Sequence, residues 1–393
     1  MSYLVKKTST DGFRVRFFDY DGTLLSTQYI ASGEDAQAPA IPAHSRLIFS
    51  QWNKYFTNIL YDIDVGALYK TASGSTELDV TVTAATGLDL TLNIKKLDNQ
   101  SMTIDWGDSH ITTTTTIGNV SYTHSYMYAG DYTIKISSIA HFDLGQGTSL
   151  TPVIDNNYQL RRAYLGDCSL VACSFYECCS MTEISLHTNV PNSGNHVFFS
   201  CKSLYAVVLP STFLVRDYYF QTDYMLTNVI LPESMNSIGV SAFQSCASLK
   251  SIIASGGGAI SANAFYSCYA IEKIFIISTT AIPSLCCNSC LCLKSFVVYA
   301  SLISIGDSAF NNCLSLTYLS FPSTLTSIAA LAFNACTEMT EYHFKSTTPP
   351  TLSSTNAFTG INQICKIYVP TASVAAYKAA ANWSAYSSYI FGE

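Results

Sequence analysis

The chain has 393 residues, with 20 Lys and Arg against 27 Asp and Glu for a formal net charge of −7. Charged residues make up only 12% of it, against 48% apolar and 13% aromatic, so its surface is polar mainly through Ser, Thr, Asn and Tyr. These values exclude a nucleic-acid partner held by a basic face and a globally disordered chain, and the length allows two or three domains with cores of their own.

Residues 1–10 read as an N-terminal tail. Met1 to Phe13 lacks the apolar run of a secretory signal, so no signal peptide is visible. Nowhere do about 18 apolar residues follow one another, which predicts no membrane insertion. The stretch Phe13-Arg-Val-Arg-Phe-Phe-Asp-Tyr-Asp-Gly-Thr-Leu24 contains the D-x-D-G-T-L pattern of haloacid-dehalogenase phosphatases, with Asp19 as nucleophile and Asp21 as acid/base. No amphipathic helix follows Leu25, and Pro39 and Pro42 lead into strand-like pieces. A β-hairpin turning at Asp21-Gly22 fits that context better. Phe17, Asp19, Asp21-Gly22, Leu25, Gly33, Pro39, Phe49, Trp52, Asp64-Val65 and Tyr69 resemble the B-repeat of internalin-type surface proteins, which implies a small β-grasp-like module over 11–70 with Trp52 and Tyr69 in its core.

After the linker Thr71–Thr76, alternation in Leu78-Asp-Val-Thr-Val and Leu88-Asp-Leu-Thr-Leu-Asn-Ile94 predicts half-buried strands. Ile104-Asp-Trp-Gly-Asp108, His124-Ser-Tyr126 and Ala129-Gly-Asp-Tyr-Thr-Ile-Lys-Ile136 resemble a PKD-type, immunoglobulin-like β-sandwich over 75–138. Asp105, Asp108 and His124 could form a catalytic or metal cluster. The simpler account is a turn whose carboxylates bond backbone N–H groups, with no metal.

From residue 139 to 365 the chain repeats. Segments such as Ser241–Ala254, Asn263–Ile276 and Ser308–Phe321 share A-F-x-x-C-x-x-L-x-x-I-x-L, and the C position recurs at Asn157, Cys178, Cys201, Asp223, Cys246, Cys268, Cys290, Cys313 and Cys336, in steps of 21 to 23 residues. Steps of this size mark leucine-rich repeats, in which each coil gives one short strand and stacked coils give a parallel sheet. Together with Ser237-Ile-Gly and Ser304-Ile-Gly, the unit resembles the BspA-like leucine-rich repeats of bacterial surface proteins. The tail over 366–393, with Val374-Ala-Ala-Tyr377 and Trp383, is similar to that family's C-terminal helical cap. The expected fold is therefore a mainly β multi-domain chain ending in a leucine-rich-repeat solenoid.

Seven of the 14 cysteines, Cys178, Cys201, Cys246, Cys268, Cys290, Cys313 and Cys336, share one structural position and are expected to form a ladder of buried, reduced thiols. Zinc at Cys286-Cys287-Asn-Ser-Cys290-Leu-Cys292 is disfavoured, because Cys287 and Cys290 stand at core positions and no second C-x-x-C completes the ligand set.

No catalytic constellation or cofactor motif is evident, so the function expected is binding. If the I and L of I-x-L face inward, the residue between faces out, at Tyr164, Ser185, Val208, Ile230, Ile253, Phe275, Val297, Ser320 and His343. Val208, Ile230, Ile253, Phe275 and Val297 would form an apolar contact stripe, unless a neighbouring module covers it. Tyr218, Tyr219, Tyr224, Tyr266 and Tyr269 are amphipathic contact candidates, or packing. These features, with the surface context implied by the three resemblances, lead us to expect a non-enzymatic recognition or adhesion protein. Its expected partner is a protein or glycan on a cell or host surface, with virion structural proteins and further copies of the chain as additional partners. The absent leader favours a phage virion fibre or decoration protein over a secreted or cell-surface bacterial adhesin. A pure assembly subunit and an Asp19 phosphatase are the remaining alternatives.

Overall fold

The computed structural model describes residues 12–138, 141–147, 150–188, 190–233, 235, 237–254, 258–277, 279–298 and 302–393. It is a mainly β protein with stacked parallel strands and little helix, and it divides into two compact units, Asp11–Met235 and Asn236–Glu393.

The first unit opens with a four-stranded mixed sheet of β1 (Phe13–Phe18), β2 (Leu24–Ile30), β3 (Leu47–Trp52) and β4 (Ile63–Thr71), ordered β2-β1-β4-β3. Strands β1 and β2 form the expected hairpin, and β1 runs parallel to β4. Gly22 sits at φ +85° in the turn, a backbone region that glycine enters without steric cost. Asp21 Oδ1 accepts the Thr23 N–H at 2.9 Å. Asp19 accepts the Tyr20 N–H at 2.8 Å on one oxygen and lies 2.9 Å from His44 Nε2 on the other. Both aspartates are thereby committed to holding the turn. Val15, Phe17, Ile59, Ile63 and Val65 form the core, with Trp52 and Phe56 packed on it.

Then follow β5 (Thr76–Val82), β6 (Asp89–Lys96), β7 (Met102–Asp105), β8 (Ile111–Thr114), β9 (Gly118–Ser125), β10 (Gly130–Ser138) and β11 (Phe142–Leu144). Their alternation buries Leu78, Val80 and Val82 from β5 and Leu90, Leu92 and Ile94 from β6. The first coils add β12 (Leu160–Tyr164), β13 (Cys168–Leu170), β14 (Glu183–Ser185), β15 (Ala206–Val208) and β16 (Asn228–Ile230). One sheet runs β14-β12-β5-β10-β7-β8 and the other β13-β11-β6-β9. The solenoid therefore starts on the preceding sheets: β12 is antiparallel to β5 on one side and parallel to β14 on the other.

In the second unit Ser251–Ala254, Lys273–Ile276 and Ser295–Val298 pair parallel and in register, as do Tyr318–Phe321, Glu341–Phe344, Lys366–Val369 and Ile390–Gly392. A second row of two-residue strands, from Ala281–Ile282 to Thr351–Leu352, runs through the Ser-Ile positions. Phe243 stacks on Phe265, and Phe310 on Phe333, with centroids 5.6 and 5.5 Å apart. Each such buried ring contributes about 2–3 kcal/mol of burial free energy that no isolated coil could capture.

All seven ladder cysteines are buried and form no disulfide. Cys201 Sγ lies 3.0 Å from the Phe175 carbonyl oxygen, Cys268 2.9 Å from that of Phe243, Cys290 3.2 Å from Phe265, Cys313 3.1 Å from Cys287 and Cys336 3.2 Å from Phe310. Each thiol thus donates to the carbonyl at the Phe position one coil earlier. A second regularity lies in the backbone. The residues one and five places before the ladder position, from Glu177 and Cys173 to Ala335 and Leu331, are left-handed, with φ between +53° and +64°. These two residues turn each coil, and N–H groups between them bond to the following coil, as Phe265 does to Cys286 and Ser267 to Asn288.

The C-terminal segment carries the short helix Val374–Ala379 and the 3-10 turn Trp383–Tyr389. Trp383 Nε1 donates to the Pro350 carbonyl at 2.6 Å and the Tyr377 hydroxyl to that of Ser346 at 2.9 Å, so buried aromatics satisfy carbonyls of the last coil.

Candidate functional site

The expected apolar stripe is not exposed. Val208 and Ile230 are each 2% exposed, Ile253 3%, Phe275 4% and Val297 5%. For Val208 and Ile230 the cover is identified: Phe18 and Leu68, on β1 and β4, form one buried cluster with them. Gly66 permits this approach, since a Cβ there would stand 2.3 Å from Val208 Cγ1. Strand parity gives the direction of a side chain and not what lies beyond it, and here the covered-face alternative applies. Tyr164 is covered as well, with the Arg46 guanidinium 4.6 Å above its ring. Ser185 is buried too, whereas Ser320 and His343 are half-buried, and His343 stacks on Tyr368 at 4.8 Å.

The tyrosine candidates divide. Tyr219 is fully buried, Tyr218 and Tyr266 are half-buried, and Tyr224 and Tyr269 are exposed. Tyr218 stacks on His196 at 4.7 Å, and Tyr176 stacks on Phe199 at 4.8 Å. His196 and Tyr218 occupy left-handed positions. Tyr176, His196 and Phe199 stand at positions whose residue type the repeat pattern leaves open, and escape a reading based on it.

A cleft of about 550 Å³ lies where β3 ends and its loop meets the coils of the same unit. Asn53 anchors that loop. Its N–H donates to the Gly66 carbonyl and its Oδ1 accepts the Gly66 N–H, both at 2.8 Å, while its Nδ2 donates to the Leu209 carbonyl at 3.1 Å. Trp52, Tyr55 and Phe56 supply aromatic walls, and Gln51, Ser211 and Glu233 line the cleft with polar groups. Tyr55 is 81% exposed although its N–H is held by Glu233 Oε2 at 3.3 Å. Lys54 closes the cleft from within. It is 6% exposed, and its Nζ has no hydrogen-bond partner among the described residues. Burial pulls its pKa down to about 8 against the attraction of Asp64 and Glu233. Asp64 is already held by Arg16, whose Nε and Nη2 each lie 2.7 Å from a carboxylate oxygen. Nothing in the sequence marks this site, because its residues come from a loop and from a coil far along the chain.

The residues suited to a metal are Asp108, His110 and His124, whose ligand atoms lie within 4.8 Å of one another. His124 Nε2 lies 2.7 Å from Asp108 Oδ2, and its ring stacks on Trp106 at 5.0 Å. Asp108 Oδ1 also accepts the His110 N–H at 3.0 Å, as Asp105 Oδ1 accepts that of Gly107 at 2.9 Å. These turn contacts are the ones expected for the two carboxylates. Burial raises the Asp108 pKa, but the bonds to His124 and His110 outweigh it and hold the carboxyl below its usual value. His110, absent from the expected cluster, is the third member.

A family model described as BspA type leucine-rich repeat region matches six copies, over residues 169–281 and 280–381. No curated protein matches the chain. Among solved structures, a leucine-rich repeat protein from Bacteroides ovatus is 22% identical over 54% of this chain and 61% of its own, with a TM-score of 0.42. A leucine rich cell surface protein from Faecalibacterium prausnitzii is 19% identical over 51% and 68%, with a TM-score of 0.28. The chain thus spans about three fifths of the former. No helix among the described residues is long and apolar enough to cross a membrane. Because the repeat model accounts for more than half of its length, the chain belongs to the BspA-type leucine-rich repeat family.

Proposed function

We propose that this is a non-enzymatic recognition protein displayed on a surface, and that it binds a glycan through the cleft beside Tyr55. The observation that carries this reading is the aromatic rim of Trp52, Tyr55 and Phe56 set against Asn53, Lys54 and Glu233. Aromatic faces stack on sugar rings, and fixed polar groups around them give orientation. The loop anchored through Asn53 makes the rim preorganised, which lowers the entropic cost of binding. The residues 11–70 and 75–138, read as a B-repeat-like and a PKD-like module, would serve as the mount for the solenoid of 139–365 and its cap of 366–393. The parallel β1–β4 pair and the Trp106, Asp108, His124 corner support those two assignments.

The similarity of the repeats to those of bacterial surface proteins favours display on a bacterial cell surface. Display on a virion is the other reading, and immunogold labelling of cells and of phage particles separates them. Attachment of the labelled full chain to a glycan array tests the cleft. Tyr55→Ala should abolish attachment with unchanged circular dichroism and melting temperature, and attachment equal to wild type would overturn the proposal. The commitment of Asp19 to Tyr20 and His44 supports the non-enzymatic reading. Mg²⁺-dependent phosphate release that Asp19→Asn abolishes would refute it.

A further inference from the structure

Lys54 is a liability to the fold that, among the described residues, only the attraction of Asp64 and Glu233 offsets. Its ammonium has three donors, is withdrawn from solvent and makes no hydrogen bond among the described residues. A buried charge without hydrogen-bond partners is strongly destabilising. The two carboxylates that attract it are otherwise engaged: Arg16 holds Asp64 through two hydrogen bonds, and Glu233 accepts the Tyr55 N–H. Acceptors from outside would complete its hydrogen bonding, and the cleft that Lys54 lines is where they would enter.

The same walls limit its chemistry. Glu233 also lines the cleft, so a phosphate dianion would meet one cation and one carboxylate, a poor match. A monoanion that also carries hydroxyl donors fits better, its carboxylate toward Lys54 and its hydroxyls toward Glu233 and Gln51. A flat apolar ring face completes the match to the aromatic rim. We infer that the cleft takes a carboxylated sugar, a uronic or sialic acid residue, whose carboxylate pairs with Lys54 while its ring lies against Tyr55. This rests on the glycan reading proposed above.

The full chain is titrated by saturation-transfer NMR and calorimetry with methyl glucuronoside and with N-acetylneuraminic acid, each beside a neutral counterpart such as methyl glucoside. At least one acid should bind ten-fold or more tightly than its neutral counterpart. Lys54→Met should erase that preference, and Tyr55→Ala should weaken acid and neutral sugars alike. Equal affinity of acid and neutral sugars for the wild-type protein, a comparison that needs no variant, would overturn the acidic inference and leave the glycan reading standing. Preference for the acid retained in a folded Lys54→Met protein would also overturn it. Absence of binding to every sugar tested, with no Tyr55-dependent attachment on the glycan array, would remove both.

Discussion

Asp223 stands in the thiol ladder where other coils have cysteine, and replacing it by cysteine should stabilise the protein in a pH-dependent way. The carboxyl is fully buried and neither oxygen has a hydrogen-bond partner among the described residues. Burial drives its pKa well above the ordinary value, opposed only by the Cys201 backbone. A carboxyl with a raised folded-state pKa contributes fully below its unfolded pKa, and the contribution is lost as pH rises toward the folded value. A buried carboxyl with no partner costs about 1–3 kcal/mol in lost hydration even when it carries its proton, and the cost grows as pH rises above the ordinary carboxyl range, where the unfolded chain ionises and the buried group resists ionising. Asp223→Cys removes that cost and returns a thiol to the row. The expected gain is about 1–3 kcal/mol at pH 4 and larger at pH 7. Urea unfolding followed through Trp52 and Trp106, which lie in the same unit as Asp223, measures both. The other carboxylates are common to both proteins, so the difference between them isolates this group. A gain of equal size at the two pH values, or a loss at pH 7, would refute the reasoning.

The remaining predictions concern other buried groups. Lys54→Met should raise stability by about 3 kcal/mol at pH 7, because a folded-state pKa lowered from 10.5 to about 8 penalises the ammonium. Wild type alone should then gain stability as pH climbs from about 8 toward 10.5, measured by urea midpoints across that range. Of the 14 cysteines, native protein should react with Ellman's reagent first at exposed Cys292 and more slowly at half-buried Cys179. The ladder thiols should react only after unfolding, burial having pushed Cys336, for one, up to about 12. Gly66→Ala, whose Cβ would strike Val208, should cost about 1–3 kcal/mol, and adding Val208→Ala should recover part of it in a double-mutant cycle.

The repeat was open to reading because it is a one-dimensional signal: a near-constant step, an inward Phe and a thiol that must be small. The cover over Val208 and Ile230 was hidden because Phe18 and Leu68 lie far upstream and no local pattern couples them. Residue type at those outward positions does not report coverage either, since polar Ser185 is as buried as Val208 and Ile230. The left-handed residues escaped notice because Ser, Asn, Leu, His, Ala and Tyr all fill them, so stacking rather than residue type imposes the conformation. Lys54 looked like an ordinary loop lysine, and only the packing around it reveals its isolation. His110 lies two residues after Asp108, and its contribution depends on how that turn closes.

The pairing of β12 with β5 bears on how the repeat array assembles. Identical rungs carry no instruction for which should form first, and a slipped start would propagate along every later coil. A partner strand from the preceding sheet at the beginning fixes the register of the first rung and so gives the array a template. Excision of the chain before residue 139 would leave that first rung with an unpaired edge, available to any passing strand.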